Sequence, residues 1–296
     1  MRRFVLIAIP YLWLLALFAV PFVIVFKISL SDIAMSRPPY TPQLDLSAGW
    51  EGVLGFVRSL DFENFVFLTT DELYWKSYLS SLRIAGISTL LCLVIGYPIA
   101  YGMARASNVW RPRLLMLVIL PFWTSFLIRV YAWKVILAGD GVLNSALLGL
   151  GIIETPLQIL NTNWAVYTGI VYTYLPFMIL PIYAALERMD GSLLEAAEDL
   201  GASRLTAFWL ITLPLSRGGV IAGCFLVFIP TVGEFVIPEL LGGSGTLMIG
   251  RVLWLEFFNN LDWPLASAVA VILLMILVIP IMIFQRSEER ARERGT

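Results

Sequence analysis

The chain has 296 residues, 59% of them apolar and only 14% charged, with a formal net charge of −1, two cysteines and no histidine. Soluble domains average about 45–50% apolar and about 25% charged residues, so this is the composition of a membrane protein. The missing histidine excludes imidazole-based triads, HExxH zinc sites and axial haem histidines. No Gly-x-x-x-x-Gly-Lys-Ser/Thr loop is present to cradle a nucleotide, and nothing in the charge balance points to a nucleic-acid partner.

In chain order, six apolar segments are long enough to cross a hydrocarbon core of about 30 Å. They fall at about 4–26, 78–104, 113–137, 163–186, 218–240 and 264–285. The first follows "MRR"; its apolar run exceeds the h-region of a signal peptide and lacks a small-residue cleavage site, so it reads as an uncleaved helix. The spans make residues 1–296 one transmembrane domain.

With a cytoplasmic N-terminus, the inner segments hold Arg2, Arg3, Arg105, Arg111, Arg113, Arg188, Arg204, Arg217, Arg286, Arg290, Arg292 and Arg294. The outer loops hold only Lys27, Arg37, Arg58, Lys76 and Arg251. This bias fits the positive-inside rule, and an even number of spans returns the C-terminus to the cytoplasm. The outer loop at about 28–77 is long, and loops of that length usually contain short helices or serve as docking surfaces. Cys92 and Cys224 lie inside spans, where free cysteine behaves as a small buried hydrophobe.

Between the fourth and fifth spans, the loop at 187–216 contains "SLLEAAEDLGASRLTAFWLITLP". Ser192 followed by Glu195 has capping-box spacing, and Leu193, Leu194, Ala197 and Leu200 recur at helical spacing as one apolar face. Gly201 suits the left-handed residue past a helix end. Ser203 can cap a second short helix, which Pro214 closes. The expected product is a helix–glycine–helix elbow, either a plain amphipathic connector or a knob for a cytoplasmic partner.

The elbow's pattern is "EAA" at Glu195, Ala196 and Ala197, three residues, Gly201, nine residues, then Ile211-Thr212-Leu213-Pro214. It resembles the EAA loop of permease subunits in bacterial ABC importers. The likeness extends through "LPFWTSFLIRVYAWKVIL", "YTYLPFMILPIYAALERMD" and "AGCFLVFIPTVGEFVIPELLGGSGTLMIGRVLWLEFFNNLDWPLASAVAV" to the polyamine (putrescine and spermidine) branch. The resemblance implies an all-α integral membrane protein with six transmembrane helices, the type I importer permease fold. It implies a bacterial inner-membrane location and no enzymatic chemistry in this chain. It further implies a paired second permease, two ATP-binding subunits that carry the ATP and magnesium, and a periplasmic polyamine-binding protein. Glu195, Ala196, Ala197, Gly201, Leu213 and Pro214 would form the coupling surface for the ATPase.

For a cationic solute, the candidate pathway residues are Glu234, Trp123, Tyr172, Tyr174 and Glu239. An ionisable group at membrane depth costs about 2.5–3.5 kcal/mol on insertion scales and commonly faces a cavity or a partner. Glu234 therefore meets an ammonium group in the pathway, or pairs with Arg129 or Lys134. Glu239 lies nearer the outer surface. The aromatic rings of spans three and four offer cation–π faces, or belong to the interfacial belt or the packing. Gly219 and Gly223 have the GxxxG spacing of close helix packing. Two rivals share the composition: an ion-coupled secondary transporter, which needs no docking elbow, and a membrane enzyme, which needs a nucleophile, base or metal cluster that the spans lack.

Overall fold

The computed structural model describes residues 2–43, 54–55 and 58–294, and most of them are helical. Four of the six expected apolar segments, 4–26, 78–104, 163–186 and 264–285, fall on continuous helix, and the other two are interrupted. Four helices are long and apolar enough to cross a membrane: Ala8–Ser29, Glu72–Arg105, Asn163–Glu187 and Arg204–Val232. A bent pair, Arg111–Trp123 with Phe126–Gly149, makes a fifth if taken as one span, and Trp263–Ile279 is a shorter apolar helix. The chain divides into two compact units, residues 1–77 with 252–296, and residues 78–251.

In the first unit, α1 (Arg2–Leu14) passes through a widened π turn, Leu15–Ala19, into α2 (Val20–Ser29). Pro21 lies in the first turn of α2. A proline ring clashes with the carbonyl four residues back, and the π turn relieves that crowding. The loop at 28–77 carries a two-stranded antiparallel ribbon, β1 (Asp32–Ile33) against β2 (Tyr40–Thr41), and a short helix, α3 (Glu63–Thr70). The Asn64 amide donates to the carbonyls of Ser29 and Ser31 at 3.1 and 2.8 Å, tying that helix to the end of α2. Residues 44–53 and 56–57 of this loop lie outside the described residues.

Helix α4 (Glu72–Arg105) starts in this unit, and the closing helix, α14 (Trp263–Arg294), packs along α2. The buried Glu256 accepts from Tyr74 Oη at 2.8 Å and Asn260 Nδ2 at 2.7 Å. Asp262 caps the start of α14 by accepting from the Leu265 N–H at 2.9 Å, and burial raises its carboxyl above the ordinary range.

In the second unit, the segment expected as one span at 113–137 is broken. Helix α5 (Arg111–Ile119) and a 3₁₀ turn, Leu120–Trp123, meet α6 (Phe126–Leu137) and α7 (Val142–Gly149) at a 90° bend. Pro121 cannot donate to the ladder, and Thr124 and Ser125 are extended, so helix cannot run through. The buried Asn144 holds the next connection with three hydrogen bonds: it donates to the Ala138 and Leu157 carbonyls at 3.0 Å and accepts from the Leu157 N–H at 2.8 Å.

The span expected at 218–240 is also interrupted. Helix α11 (Leu213–Val232) stops, and α12 (Val236–Leu241) restarts after three residues, followed by α13 (Ile249–Trp254). The closest seam in this unit joins α11 to α8 (Asn163–Glu187). A Cβ on Gly219 would lie 2.6 Å from the Pro181 carbonyl oxygen and 2.7 Å from Ala185 Cβ; one on Gly223 would lie 2.8 Å from Met178 Sδ. The GxxxG spacing is thus a packing device.

Gly218, one residue away, has open space where a Cβ would stand. Gly219→Ala should therefore destabilise the purified chain by roughly 1–3 kcal/mol, the usual cost of overpacking. Gly218→Ala should be neutral or slightly stabilising, since alanine favours helix. Thermal unfolding of the two variants in detergent, compared with wild type, checks the contrast.

Candidate functional site: the elbow and the broken helix

The elbow begins differently from its sequence signature. Helix α9 (Ser192–Asp199) starts from Gly191, and no Ser192–Glu195 capping box forms. The Asp190 carboxylate accepts from the Ser192 N–H at 3.0 Å, a bond that holds its carboxyl below the ordinary range. An aspartate two residues upstream reaches the first free N–H with a shorter, charged side chain, so it takes the capping role.

The other end matches expectation. The Ala202 N–H donates to the Ala197 carbonyl and the Gly201 N–H to the Glu198 carbonyl, both at 2.9 Å. This is the paired closure of a Schellman motif, and Gly201 has φ +80°, the left-handed conformation that the motif requires. Ser203 Oγ accepts from the Thr206 N–H at 3.2 Å and starts α10 (Arg204–Ala207). Pro214 does not close that helix. A π turn, Phe208–Thr212, carries α10 directly into α11, and Pro214 sits in the first turn of α11. There the missing N–H is harmless and the wide turn receives the ring.

The four-residue apolar face splits in two. Leu194 is half-buried and Ala197 buried, whereas Leu193 and Leu200 face outward, Leu200 at 89% exposure. Glu195, Ala196, Gly201 and Pro214 are exposed and Leu213 is half-buried. The elbow therefore offers an outer surface of carboxylates (Glu195, Glu198 and Asp199), small side chains and leucine, while Ala197 and Ala207 seat it on its own chain.

The second constellation is the break between α11 and α12. Glu234 is buried, and its Oε1 accepts from the N–H groups of Phe235, Val236 and Ile237 at 3.1, 3.0 and 3.4 Å. Its Oε2 accepts from Tyr174 Oη at 2.6 Å. The expected pair with Arg129 or Lys134 is not formed: the ion pairs among the described residues are Glu72–Lys76 and Glu239–Arg251. Arg129 instead has its guanidinium 5.7 Å from the Phe122 ring centre. The helix restart provides three free N–H groups at one point, and a carboxylate there is bound more tightly by its own backbone than by a flexible cation. Gly250 lets α13 approach this break, since a Cβ would collide with the Gly233 and Glu234 carbonyl oxygens.

Of the other candidate pathway residues, only Tyr174 joins Glu234. Tyr172 packs edge-on against Trp133, 5.4 Å between ring centres. Trp123 is 74% exposed at the 3₁₀ turn. Glu239 pairs with Arg251 at 2.5 Å, a partner twelve residues away on the next helix that the sequence pattern did not single out. The acidic grouping near enough to share an ion among the described residues, Asp32, Asp61 and Glu63, is exposed in the first unit.

Among the described residues this arrangement offers no nucleophile–base pair; it offers an exposed helical elbow and a capped break in an apolar helix. Residues 92–293 match the family model described as binding-protein-dependent transport system inner membrane component. The chain is 46% identical over 219 residues to the Haemophilus influenzae spermidine/putrescine transport system permease protein PotB, covering 74% of this chain and 77% of that one. The Escherichia coli PotB is also 46% identical, over 217 residues, covering 73% of this chain and 79% of that one. The E. coli inner membrane ABC transporter permease protein YdcU is 33% identical over 221 residues, 70% of each chain. Among solved structures, a bacterial ABC transporter that imports alginate superposes with a TM-score of 0.70 at 16% identity, covering 98% of this chain and 96% of that one. The MetNI methionine transporter gives 0.52 at 18% identity over 76% of this chain and 96% of that one, and these two likenesses concern the fold. The chain belongs to the family of inner-membrane components of binding-protein-dependent transport systems.

Proposed function

We propose that this chain is one of two permease subunits of an ATP-driven polyamine importer, paired with a second, different permease. The observation that carries the substrate class is the 46% identity to spermidine/putrescine permeases over about three quarters of both chains. In this reading the loop 187–216 faces the cytoplasm, with both termini on that side. The elbow surface of Glu195, Ala196, Ala197, Gly201, Leu213 and Pro214 meets the ATP-binding subunit, which holds the ATP and magnesium. The loaded polyamine-binding protein docks on the outer loops, including 28–77 and 241–262. ATP-driven closure moves the elbow, and the two access states exchange because each ligand binds one of them better. Glu234, with Tyr174, is the candidate pathway carboxylate; Trp123, Tyr172 and Glu239 are weaker candidates. The rigid closure at Gly201 favours a docking knob over a plain connector.

Reconstitution of the chain with a second permease, two ATPase copies and a polyamine-binding protein tests this reading. Labelled putrescine or spermidine uptake should require ATP and should survive dissipation of the proton gradient. Uptake that follows the gradient and ignores the ATPase would select the secondary transporter instead.

Gly201→Val should insert normally, since nothing stands within 4 Å of a Cβ there. It should nevertheless strain the left-handed turn by about 1–2 kcal/mol and lose ATPase association or coupled transport. Wild-type uptake by that variant would remove the elbow from the coupling path.

Glu234→Gln keeps an oxygen for the three N–H groups and removes the charge. It should leave the melting temperature close to wild type while uptake slows. Glu234→Ala should also lower the melting temperature, because lost caps cost about 0.5–2 kcal/mol. A Glu234→Gln complex with full uptake would make Glu234 a cap and nothing more.

A further inference from the structure

Beside the elbow lies a cavity of about 310 Å³, lined by Tyr101, Arg105, Glu198, Arg204, Phe208 and Thr212 among others. It is roughly ten times the ~30 Å³ share of one water molecule. A second cavity of about 240 Å³ shares Tyr101, Arg105 and Leu194 with it and adds Arg111 and Glu187. Three features of the first cavity go together. Arg105 and Arg204 have no ion-pair or hydrogen-bond partner among the described residues, and the Arg105 guanidinium is only stacked on the Tyr101 ring, 5.1 Å from its centre. Two guanidinium groups against the single carboxylate of Glu198 leave one net positive charge in the lining. Thr212, which also lines it, is completely buried and its hydroxyl has no partner.

In the neighbouring cavity the two charged groups besides Arg105 are already committed. Arg111 donates to the carbonyls of Ala104 and Ala106, each at 2.9 Å, and Glu187 accepts from Tyr183 Oη at 2.7 Å. The unspent donors are therefore Arg105, Arg204 and the Thr212 hydroxyl. Guanidinium forks bind planar or tetrahedral oxyanions by paired, charge-assisted bonds. The aromatic stack on Arg105 holds one fork in place, which lowers the ordering cost. Arg105 ends α4 and Arg204 starts α10, where long apolar helices give way to polar residues. Basic pockets at such levels take lipid headgroups.

We propose that this cavity binds one phosphate group, held between Arg105 and Arg204 with Thr212 as a further donor. Its source is an anionic phospholipid headgroup or free phosphate. The occupant would brace the elbow against the end of α4, joining two elements that no carboxylate now links.

The test uses the full chain in a phosphate-free maltoside detergent at fixed ionic strength. Phosphatidylglycerol and, separately, inorganic phosphate are titrated while the melting temperature is read. Wild type should show a saturable rise with at least one of the two. Arg105→Gln and Arg204→Gln should each weaken the apparent affinity about tenfold, the worth of one charge-assisted bond. Arg105→Lys, which keeps the charge without the fork, should fall between, and Arg217→Gln, outside the cavity, should titrate like wild type. A rise with inorganic phosphate identifies a free anion, and a rise with phosphatidylglycerol alone identifies the lipid. No saturable rise with either, or a rise that ignores both glutamine substitutions, overturns the proposal.

Discussion

The carboxylate of Glu234 makes the break in the fifth apolar segment possible, and much of the second unit is arranged around that break. In a medium without water, every helix end leaves N–H groups that must be satisfied from within the protein. Glu234 satisfies the N–H groups of Phe235, just before α12, and of Val236 and Ile237, its first two residues, with one oxygen and is itself held by Tyr174 through the other. Once α12 can start afresh, its own faces pack closely. Ile237 and Leu241 fill the space over Gly169 on α8, and the Leu241 carbonyl accepts from the Asn161 N–H at 2.9 Å. The return through α13 then needs glycine at 250, and the Ile249 N–H is taken by Ser81 Oγ at 2.8 Å. A chain of local necessities follows from one buried acid.

The seam between α8 and α11 supplies the rigidity that the break gives up. Small residues at 219 and 223 let the backbones touch, and this kind of contact gains from dispersion where no hydrophobic force between helices exists. Tyr97 Oη and Ser216 Oγ, 2.8 Å apart, add a buried hydrogen bond from α4 to the start of α11. The elbow is continuous with α11 through the π turn at Phe208–Thr212. A push on α9 or α10 is therefore delivered into the most tightly packed pair of helices in that unit, and cannot be absorbed by a flexible joint at Pro214.

Much of this was legible in the residues. Apolar runs of about twenty residues located every long helix. Gly201 announced its left-handed turn, and the GxxxG spacing its seam. What escaped the reading depends on side chains that satisfy backbone from a distance. Glu234 reads in sequence as a charge in need of a cation, because periodicity treats an acid in a span as an electrostatic problem; the fold places a helix end beneath it. Asp190 displaced the Ser192–Glu195 box for the same reason, since both patterns compete for one N–H. The bend after Trp123 had its proline in plain view. Its size depended on two further extended residues, Thr124 and Ser125, that no propensity singles out.

In the proposed importer, the buried acid and the elbow would divide the work of a two-state protein. A part that changes conformation needs backbone groups that can be satisfied in both states, whereas a part that transmits force needs groups that cannot let go. The elbow's bonds, Asp190 to Ser192 and the paired closure at Gly201, are local and move with it as a body. At the break, by contrast, Oε1 of Glu234 is bound within its own segment and Oε2 reaches to α8. Releasing Tyr174 would free α12 from α8 at that point without uncapping α12, because the three N–H bonds are independent of the phenol. The Tyr174–Glu234 bond is thus the one long-range hydrogen bond of that carboxylate that a change of state could exchange at least cost to the fold.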